Sequence, residues 1–272
     1  MTTDTKDRLG TDRQAGGLQH LLEYRDLLLN LVRKEVRVRY LGASLGFAWS
    51  MVNPLIISLT YLFVFTVVFP SSIPHYPVFL VIGVVQWNLF SSTAMTSSEL
   101  LVGNANLLKK VYFPRVAIPI ASLLTNTVFW SSAFVVFLII LVPLGGHYSW
   151  PMLLFPVYMV FFLMLCLGIA LLLATLHVEY RDSKHLVEVA IQVLFWLTPI
   201  TYSTSLIHHA ALRALLYLNP AVPALKVAHQ LVYRGALPSI PEAVGLVFWS
   251  TFALWLGIRT FNRRVPAIIE RL

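Results

Sequence analysis

Charged residues and cysteine are scarce in this sequence, and their scarcity excludes several classes of protein. Only 12% of the 272 residues are Asp, Glu, Lys or Arg, and there is one cysteine. Six apolar stretches are long enough to cross a bilayer, and almost no ionisable side chain lies inside them. Transporters that couple to protons or sodium usually keep carboxylates or histidines at that depth. The sequence therefore argues against ion coupling and for a driving force supplied by a partner.

Metalloprotease and nucleotide-binding motifs are also absent from the sequence. It contains no HExxH and no G-x-x-x-x-G-K-[ST] loop that would hold nucleotide phosphates. Cys166 lies inside an apolar stretch without a disulfide partner, so we interpret it as a small buried side chain. The adjacent His208 and His209 have no acidic or cysteine ligand near them. We expect no catalytic residue, no metal site and no cofactor on this chain; if ATP drives the protein, ATP and Mg²⁺ bind to another polypeptide.

Apolar residues are abundant, and they place the chain in the membrane. Hydrophobic residues make up 58% of the chain and the mean hydropathy is +0.75, whereas soluble domains contain roughly 45–50% apolar residues. The apolar runs are continuous over about 18 residues or more, which is typical of membrane helices and not of barrel strands. We predict an all-α integral membrane protein with six spans: Phe47–Phe69, Pro77–Thr96, Val116–Val142, Pro151–Leu176, Leu186–Ser203 and Ala243–Phe261.

The positions of Lys and Arg predict the orientation of these spans. Most basic residues lie before the first span, in the second-to-third and fourth-to-fifth connections, or at the C-terminal end. Only Arg213, Lys226 and Arg234 lie on the other side. Because cytoplasmic loops carry the basic excess, both termini are expected in the cytoplasm, and the polar start argues against a cleaved signal peptide. The net charge of +8 then indicates attraction to anionic lipid and not nucleic-acid binding.

The regions outside the spans divide the chain further. Residues 1–20 form a polar tail, residues 42–262 contain the six-span domain, and residues 263–272 form a cytoplasmic C-terminal tail. Residues 21–41 alternate an apolar and a charged face, which is typical of an amphipathic helix in the interface plane. This helix is either a plain membrane anchor or also a contact for a cytoplasmic partner, and both readings stay open.

The connections between spans carry further signals. The second-to-third connection, SSELLVGNANLLKKVYFPR, is helix-prone, is stopped by Pro114 and is long for a simple turn. It is either a docking element or a solvated basic loop. In the fourth-to-fifth connection, Lys184 and Glu188 are four residues apart on one helix face, so we expect them to pair. A proton-relay role for Glu188 would need further ionisable groups in the membrane. The outward segment Thr204–Glu242 contains two short amphipathic stretches that can lie on the outer face of the bilayer or dip into the bilayer.

Aromatic residues make up 13% of the chain. Those near span ends fit the belts that collect at headgroup level. Deeper rings either pack helices together or line a passage, because aromatic rings with polar tips stack on sugars and carry no charge. The residues concerned are Tyr61, Phe65, Trp87, Phe90, Trp130, Phe195, Trp196 and Tyr202.

Four motifs in a fixed order carry a resemblance to a known family. They are RYLGASLGFAWSMVNPLIISLTYLFVFTVVF, NANLLKKVYFPRVAIPIAS, YRDSKHLVEVAIQVLFWLTPITYS and YLNPAVP. Together they resemble the membrane subunit of bacterial polysaccharide ABC exporters, the permeases that move O-antigen, teichoic acid or related glycans. The similarity extends from about Leu21 to Phe261, which is nearly the whole chain.

The resemblance implies a homodimer in the bacterial cytoplasmic membrane that binds two copies of a cytoplasmic ABC ATPase and exports a lipid-linked polysaccharide. It implies a coupling helix at residues 99–112 and outer gate helices within residues 206–233. The residues expected to dock the ATPase are Glu99, Asn104, Asn106, Leu107, Leu108, Lys109, Lys110 and Glu35. Those expected to attract lipid phosphate are Arg37, Arg39 and Arg181, and the translocation pathway is expected along Tyr61, Phe65, Trp87, Phe90, Phe195, Trp196 and Tyr202.

Three other functions stay open at this point. A type 2 ABC exporter of a drug or small lipid shares the fold and the coupling scheme. An ion-coupled flippase of lipid-linked sugars is disfavoured by the missing intramembrane charges. A membrane enzyme acting on lipid-linked sugars would need acidic or metal-binding residues that the loops scarcely offer.

Overall fold

The secondary structure is helical, without a strand in the part of the chain that the structure describes. The computed structural model describes residues 24–39, 46–64, 67, 73–105, 107, 113–180, 182–204, 209, 211 and 215–269. In chain order the α-helices are α1 (Arg25–Arg39), α2 (Trp49–Phe63), α3 (Tyr76–Ser97), α4 (Leu100–Gly103), α5 (Ala117–Ile140), α6 (Phe155–Glu179), α7 (Ser183–Leu197), α8 (Ala221–Ala228) and α9 (Ile240–Ile269). Short 3₁₀ turns precede α2 (Gly46–Ala48) and α6 (Trp150–Leu154), and a π-helical turn (His229–Tyr233) follows α8.

Four helical segments are long and apolar enough to cross a membrane. They are Tyr76–Ser97, Ala117–Ile140, Trp150–Glu179 and Ile240–Val265. The shortest has 22 residues, which at 1.5 Å per residue extends over about 33 Å and covers a hydrocarbon core of about 30 Å. These segments coincide with the second, third, fourth and sixth predicted spans, so the prediction of apolar membrane helices is confirmed for these four.

The other two predicted spans are shorter helices in the described residues. Both α2 and α7 have 15 residues, and part of the predicted first span lies outside the described residues. The predicted end of the fifth span at Ser203 is wrong, because α7 ends at Leu197. Pro199 explains the early end: it disfavours helical backbone in the residue before it, and Thr198 is extended with ψ 135°.

Helix α3 forms the centre of the bundle. It contacts α2, α5, α6, α7 and α8, and Leu80 and Ile82 have no exposed surface. Its apolar residues lie on every side of the helix, which is typical of a helix enclosed by others. In an apolar 18-residue stretch of this segment 78% of the residues are buried, whereas the corresponding value for the last spanning segment is 28%.

Helices α6 and α9 make the most extensive contact between two helices, and it depends on two glycines. A Cβ atom added to Gly168 would lie 2.3 Å from the carbonyl carbon of Ala253, and one added to Gly257 would lie 2.5 Å from the oxygen of Gly168. The two backbones therefore touch at this crossing. Small residues permit such close approach between membrane helices.

The N-terminal helix α1 packs along α5. Arg39 donates from Nη1 to Asn126 Oδ1 at 3.2 Å, and its guanidinium lies 4.7 Å from the ring centre of Phe129. Asn126 in turn donates from Nδ2 to Thr96 Oγ1 at 3.0 Å, so the contact continues to α3. The predicted helical segment 21–41 thus contains a helix whose C-terminal end is attached to the bundle.

Candidate docking and translocation sites

The predicted docking segment begins directly where the central helix α3 ends. The hydroxyl of Ser98 donates to the Met95 oxygen at 2.7 Å, and the single turn α4 then follows. The Asn104 side chain closes this turn, because its Nδ2 donates to the Leu100 oxygen at 2.9 Å. Leu100 and Leu101 are buried, whereas Val102 is exposed. The turn is therefore anchored on one face and open on the other.

The structure describes three of the seven predicted docking residues in this segment. Glu99 is exposed, Leu107 is half-buried, and the amide of Asn104 is used within its own turn. The other four lie outside the described residues: Asn106, Leu108, Lys109 and Lys110.

Glu99 joins this segment to helix α7. Lys184 Nζ lies 2.7 Å from Glu99 Oε1, and Glu188 instead lies 3.2 Å from His185 Nδ1. The expected Lys184–Glu188 pair is therefore wrong: the tertiary fold brings Glu99 closer to Lys184 than the neighbouring helical turn does. Because the side chains of Lys184 and Glu99 are 41% and 57% exposed, solvent screens the pair and it adds little to stability. Its effect is to position α7 beside the α4 turn.

Two further contacts gather helix ends at this end of the bundle. His177 Nδ1 lies 3.0 Å from the hydroxyl of Ser183, which joins α6 to the start of α7. Arg264 forms an ion pair with Glu179 and joins α9 to α6. The α4 turn therefore lies at the end of the bundle where α6 ends, α7 begins and α9 carries basic residues. This end is called the inner end below, following the predicted topology, and the end that carries α8 is called the outer end.

Glu35, predicted to dock a partner, is half-buried against α5. It lies within hydrogen-bond reach of the Thr125 hydroxyl. Burial raises the pKa of Glu35 above its usual value of 4.5, and Thr125, Arg39 and Lys34 offset only part of this effect. Glu35 therefore faces the bundle and not open solvent.

The raised pKa of Glu35 leads to a pH-dependent stability. A carboxyl with a raised pKa in the folded state contributes stability that is full below pH 4.5 and is lost as the pH rises through the folded-state pKa. We expect the melting temperature to fall less between pH 5 and pH 8 in Glu35→Gln than in the wild type, as measured by thermal unfolding in detergent. The exposed Asp26 on the same helix provides the control, Asp26→Asn, which should keep the wild-type slope. Parallel curves for wild type and Glu35→Gln would contradict the burial of this carboxyl.

The predicted lipid-phosphate residues occupy different surroundings. Arg37 is exposed, whereas Arg39 is engaged by Asn126 and by the ring of Phe129. Arg181 lies outside the described residues. Of the two described arginines, Arg37 is the one that makes no side-chain hydrogen bond or ion pair within the described residues, and its charge is open to solvent or lipid.

The predicted pathway aromatics separate into buried and exposed rings. Trp87 and Phe90 are only 5% and 3% exposed and pack on each other with ring centres 5.4 Å apart. They belong to the core. Phe195 is half-buried and contacts Trp87, with ring centres 5.8 Å apart, whereas Trp196 is 60% exposed. The hydroxyl of the half-buried Tyr202 donates to the Trp196 oxygen at 3.2 Å. The side chains of Tyr61 and Phe65 lie outside the described residues.

Helix α7 presents an exposed apolar stripe that the sequence did not single out. Its members recur every three or four residues and therefore share one face. Trp196 lies near its outer end, next to the turn that carries Tyr202. The exposed stripe consists of Leu186, Val189, Val193, Trp196 and Leu197.

At the outer end, helix α8 is packed into the bundle. Seven of its 8 residues are buried, and it contacts α3, α6 and α9. Its one less buried residue, Lys226, lies 3.7 Å from Glu242 Oε1 and donates to the Tyr217 hydroxyl at 2.7 Å. Lys226 and Glu242 lie on different helices, so no sequence spacing indicated this pair.

The comparisons with known proteins identify the family of this chain. Residues 26–233 match the family model described as ABC-2 type transporter. The chain belongs to the ABC-2 type transporter family. The matched segment extends from α1 through the π-helical turn after α8, so it includes the α4 turn and the α7 stripe of this ABC-2 chain.

Curated relatives of this ABC-2 chain carry names from polysaccharide export. The O-antigen export system permease protein RfbA of Myxococcus xanthus is 32% identical over 256 residues, which cover 94% of this chain and 98% of the relative. The protein of the same name from Klebsiella pneumoniae is 29% identical over 243 residues, covering 88% and 92%. The polysialic acid transport protein KpsM of Escherichia coli is 22% identical over 254 residues, covering 88% and 93%. The resemblance stated from the four motifs is confirmed at the level of the family.

Proposed function

We propose that this chain is the membrane permease subunit of an ATP-driven exporter, which moves a lipid-linked polysaccharide across the bacterial cytoplasmic membrane. The observation that carries the proposal is the alignment, over nearly the full length of both chains, with a protein named as an O-antigen export permease. The four apolar helices and the anchored turn after α3 support it. The energy would come from a separate cytoplasmic ABC ATPase that binds ATP and Mg²⁺, because the sequence has no nucleotide-binding loop.

The assembly that we propose contains two copies of the chain and two ATPase subunits. Each chain would cross the membrane six times, with α2 and α7 as parts of the two shorter spans and both termini in the cytoplasm. The exposed apolar stripe on α7 supports a further contact inside the membrane. A passage between two chains would place this stripe, and the half-buried rings beside it, along the path of the glycan.

The ATPase would dock at the α4 turn and the residues that follow it. Leu100 and Leu101 anchor this turn in the bundle, so a push on its exposed side is transmitted to α3 and not absorbed by a loop. The Glu99–Lys184 pair extends the same connection to α7. A displacement of the docking segment would thereby reach both the central helix and the helix that carries the stripe.

The glycan would pass along uncharged surfaces. Among the described members of the predicted set, Trp196 is exposed and Tyr202 is half-buried. Phe195 packs against Trp196 with ring centres 5.3 Å apart. Trp87 and Phe90 would hold this wall in place from the core. At the inner end Arg37, and also Arg181 of the fourth-to-fifth connection, would attract the phosphates of the lipid carrier by charge-assisted hydrogen bonds.

The docking assignment leads to a direct test of the proposal. The chain and its ATPase are reconstituted in vesicles, and ATP-driven transfer of the glycan is measured together with ATPase activity. We expect the double variant Leu107→Asp, Leu108→Asp to lose at least about tenfold in transport and to lose bound ATPase, because two buried carboxylates disrupt an apolar contact. The matched control is Leu237→Asp, an exposed leucine in the outer loop, which should transport normally.

Each departure from this result has a distinct meaning. Normal transport by the double variant would refute the docking segment. Transport of a fluorescent small lipid but not of the glycan by the wild-type complex would favour the exporter of drugs or small lipids. Movement of cargo by the chain alone under a proton or sodium gradient would refute the proposed energy source.

A further inference from the structure

A cavity opens at the outer end of the bundle, and none of the residues assigned to docking or to the glycan passage lines it. Its volume is about 390 Å³, and its walls include His75, Phe79, Ser203, Tyr233 and Arg234. These residues come from the start of α3, the turn after α7 and the π-helical turn after α8. A second, smaller cavity shares Phe79, Ser203, Tyr233 and Arg234 and continues toward Lys226 and Glu242. The volume lies within the roughly 300–1,000 Å³ of sites that bind small molecules.

The aromatic walls of this outer cavity are fixed in place. The ring of Phe79 stacks on His229 with centres 4.1 Å apart, and His229 Nε2 donates to the Phe79 oxygen at 3.0 Å. Tyr233 meets Phe79 edge to face at 5.4 Å, and its hydroxyl donates to the Pro74 oxygen at 2.7 Å. A ligand would therefore meet two rings that are already held in one arrangement, which reduces the entropic cost of binding.

The polar walls add groups that bind hydroxyls and carboxylates. Arg234 is exposed, and among the described residues no carboxylate forms an ion pair with it. Its guanidinium offers a planar set of donors. The His75 imidazole is exposed on the same wall. Rings that meet the apolar face of a sugar, beside planar donors that meet its hydroxyls, form the combination that a saccharide requires.

We propose that the outer cavity binds a saccharide unit of the exported glycan, with the ring of Tyr233 as the stacking surface and Arg234 as the main hydrogen-bond donor. This inference rests on the proposed function for the identity of the cargo. Such a site would hold the leading end of the chain as it leaves the membrane. It would reduce backward movement of the glycan between successive cycles of ATP hydrolysis.

The test measures binding by isothermal titration calorimetry to the purified protein in lipid nanodiscs. The probe is the lipid-free glycan released by mild acid from the envelope of the source strain, with dextran and inorganic pyrophosphate titrated separately. We expect Tyr233→Leu to weaken binding of the released glycan about tenfold, because the stacking surface is lost. Tyr233→Phe keeps the ring and should retain affinity within about twofold.

Tyr148 provides the matched control. It also lies in an outer connection, and its hydroxyl donates to a backbone oxygen, that of Leu138 at 2.6 Å, but it does not line the cavity. Tyr148→Leu should bind the glycan like the wild type. Thermal unfolding of all variants verifies that each is folded. If Tyr233→Leu is unstable, Arg234→Gln keeps the test decisive, because it removes the main donor at an exposed position and should weaken glycan binding.

Several outcomes would overturn the proposal. These are equal affinity of wild type and a folded Tyr233→Leu, loss of affinity in Tyr233→Phe equal to that in Tyr233→Leu, and absence of glycan binding by the wild type. Pyrophosphate binding that Arg234→Gln abolishes, without glycan binding, would make the cavity a phosphate site instead. Vesicle transport by the wild-type complex is measured in parallel: failure there refutes the proposed function, whereas normal transport with unaltered binding in the variants refutes only the cavity.

Discussion

Replacing Gly168 by alanine should strongly destabilise the folded protein, although the change adds one methyl group. The new Cβ would lie 2.3 Å from the backbone of Ala253 on α9, where no flexible side chain can move aside. Helices α6 and α9, whose contact is the most extensive between two described helices, would have to move apart. We expect a loss of roughly 3 kcal/mol in unfolding free energy, the upper part of the usual range for overpacking. Gel filtration of the detergent-solubilised variant after heating at graded temperatures measures the effect.

A second glycine provides the control for replacing glycine by alanine where space is open. A Cβ atom on Gly103 would meet nothing within 4 Å, so Gly103→Ala should change stability by less than about 1 kcal/mol and in the favourable direction for a helical residue. If Gly168→Ala melts at the wild-type temperature, the backbones of α6 and α9 do not touch and the packing of these two helices must be revised.

The second large effect is expected at the Lys226–Glu242 pair. The two side chains are only 15% and 10% exposed, and Glu242 also accepts from the Ser239 amide at 3.3 Å. The Lys226 ammonium lies 4.7 Å from the ring centre of Tyr217 and also donates a hydrogen bond to the Tyr217 hydroxyl. Removing one partner leaves a charge uncompensated in a largely buried position, which costs about 3–5 kcal/mol. We expect this loss for Lys226→Met alone and for Glu242→Gln alone.

A double-mutant cycle measured by thermal unfolding decides whether the charges act as a pair. The double variant Lys226→Met, Glu242→Gln should be more stable than either single variant, because neither charge is then left alone. The exposed pair Lys184–Glu99 is the matched control, and its cycle should show little coupling between the two charges. Additive losses at Lys226 and Glu242 would contradict the pairing.

The sequence predicted the apolar helices well because their signal is length and composition. It did not predict which face of each helix is buried, because a helix that is apolar all round carries no periodic signal. Trp87 and Trp196 illustrate this limit. Both were assigned to one passage, yet one is enclosed in the core and the other is exposed. Only the packing of α3 among five neighbours distinguishes them.

The sequence also did not predict contacts between distant segments of the chain. The spacing of Lys184 and Glu188 satisfied the helical rule for a pair, but the fold offers Lys184 a partner 85 residues away. For the same reason the contact of Arg39 with Asn126 and the crossing of Gly168 with Gly257 had no signature in the sequence. Local rules identify neighbours on one helix, and they contain no information on how helices meet.

The burial of α8 determines what kind of motion the outer end allows. To swing out like a flap, this helix would have to expose seven side chains at once and leave holes beside α3, α6 and α9. A shear in which α8 travels together with its neighbours keeps those surfaces covered. A rearrangement of the outer end therefore has to move a block of several helices together, because α8 cannot open alone.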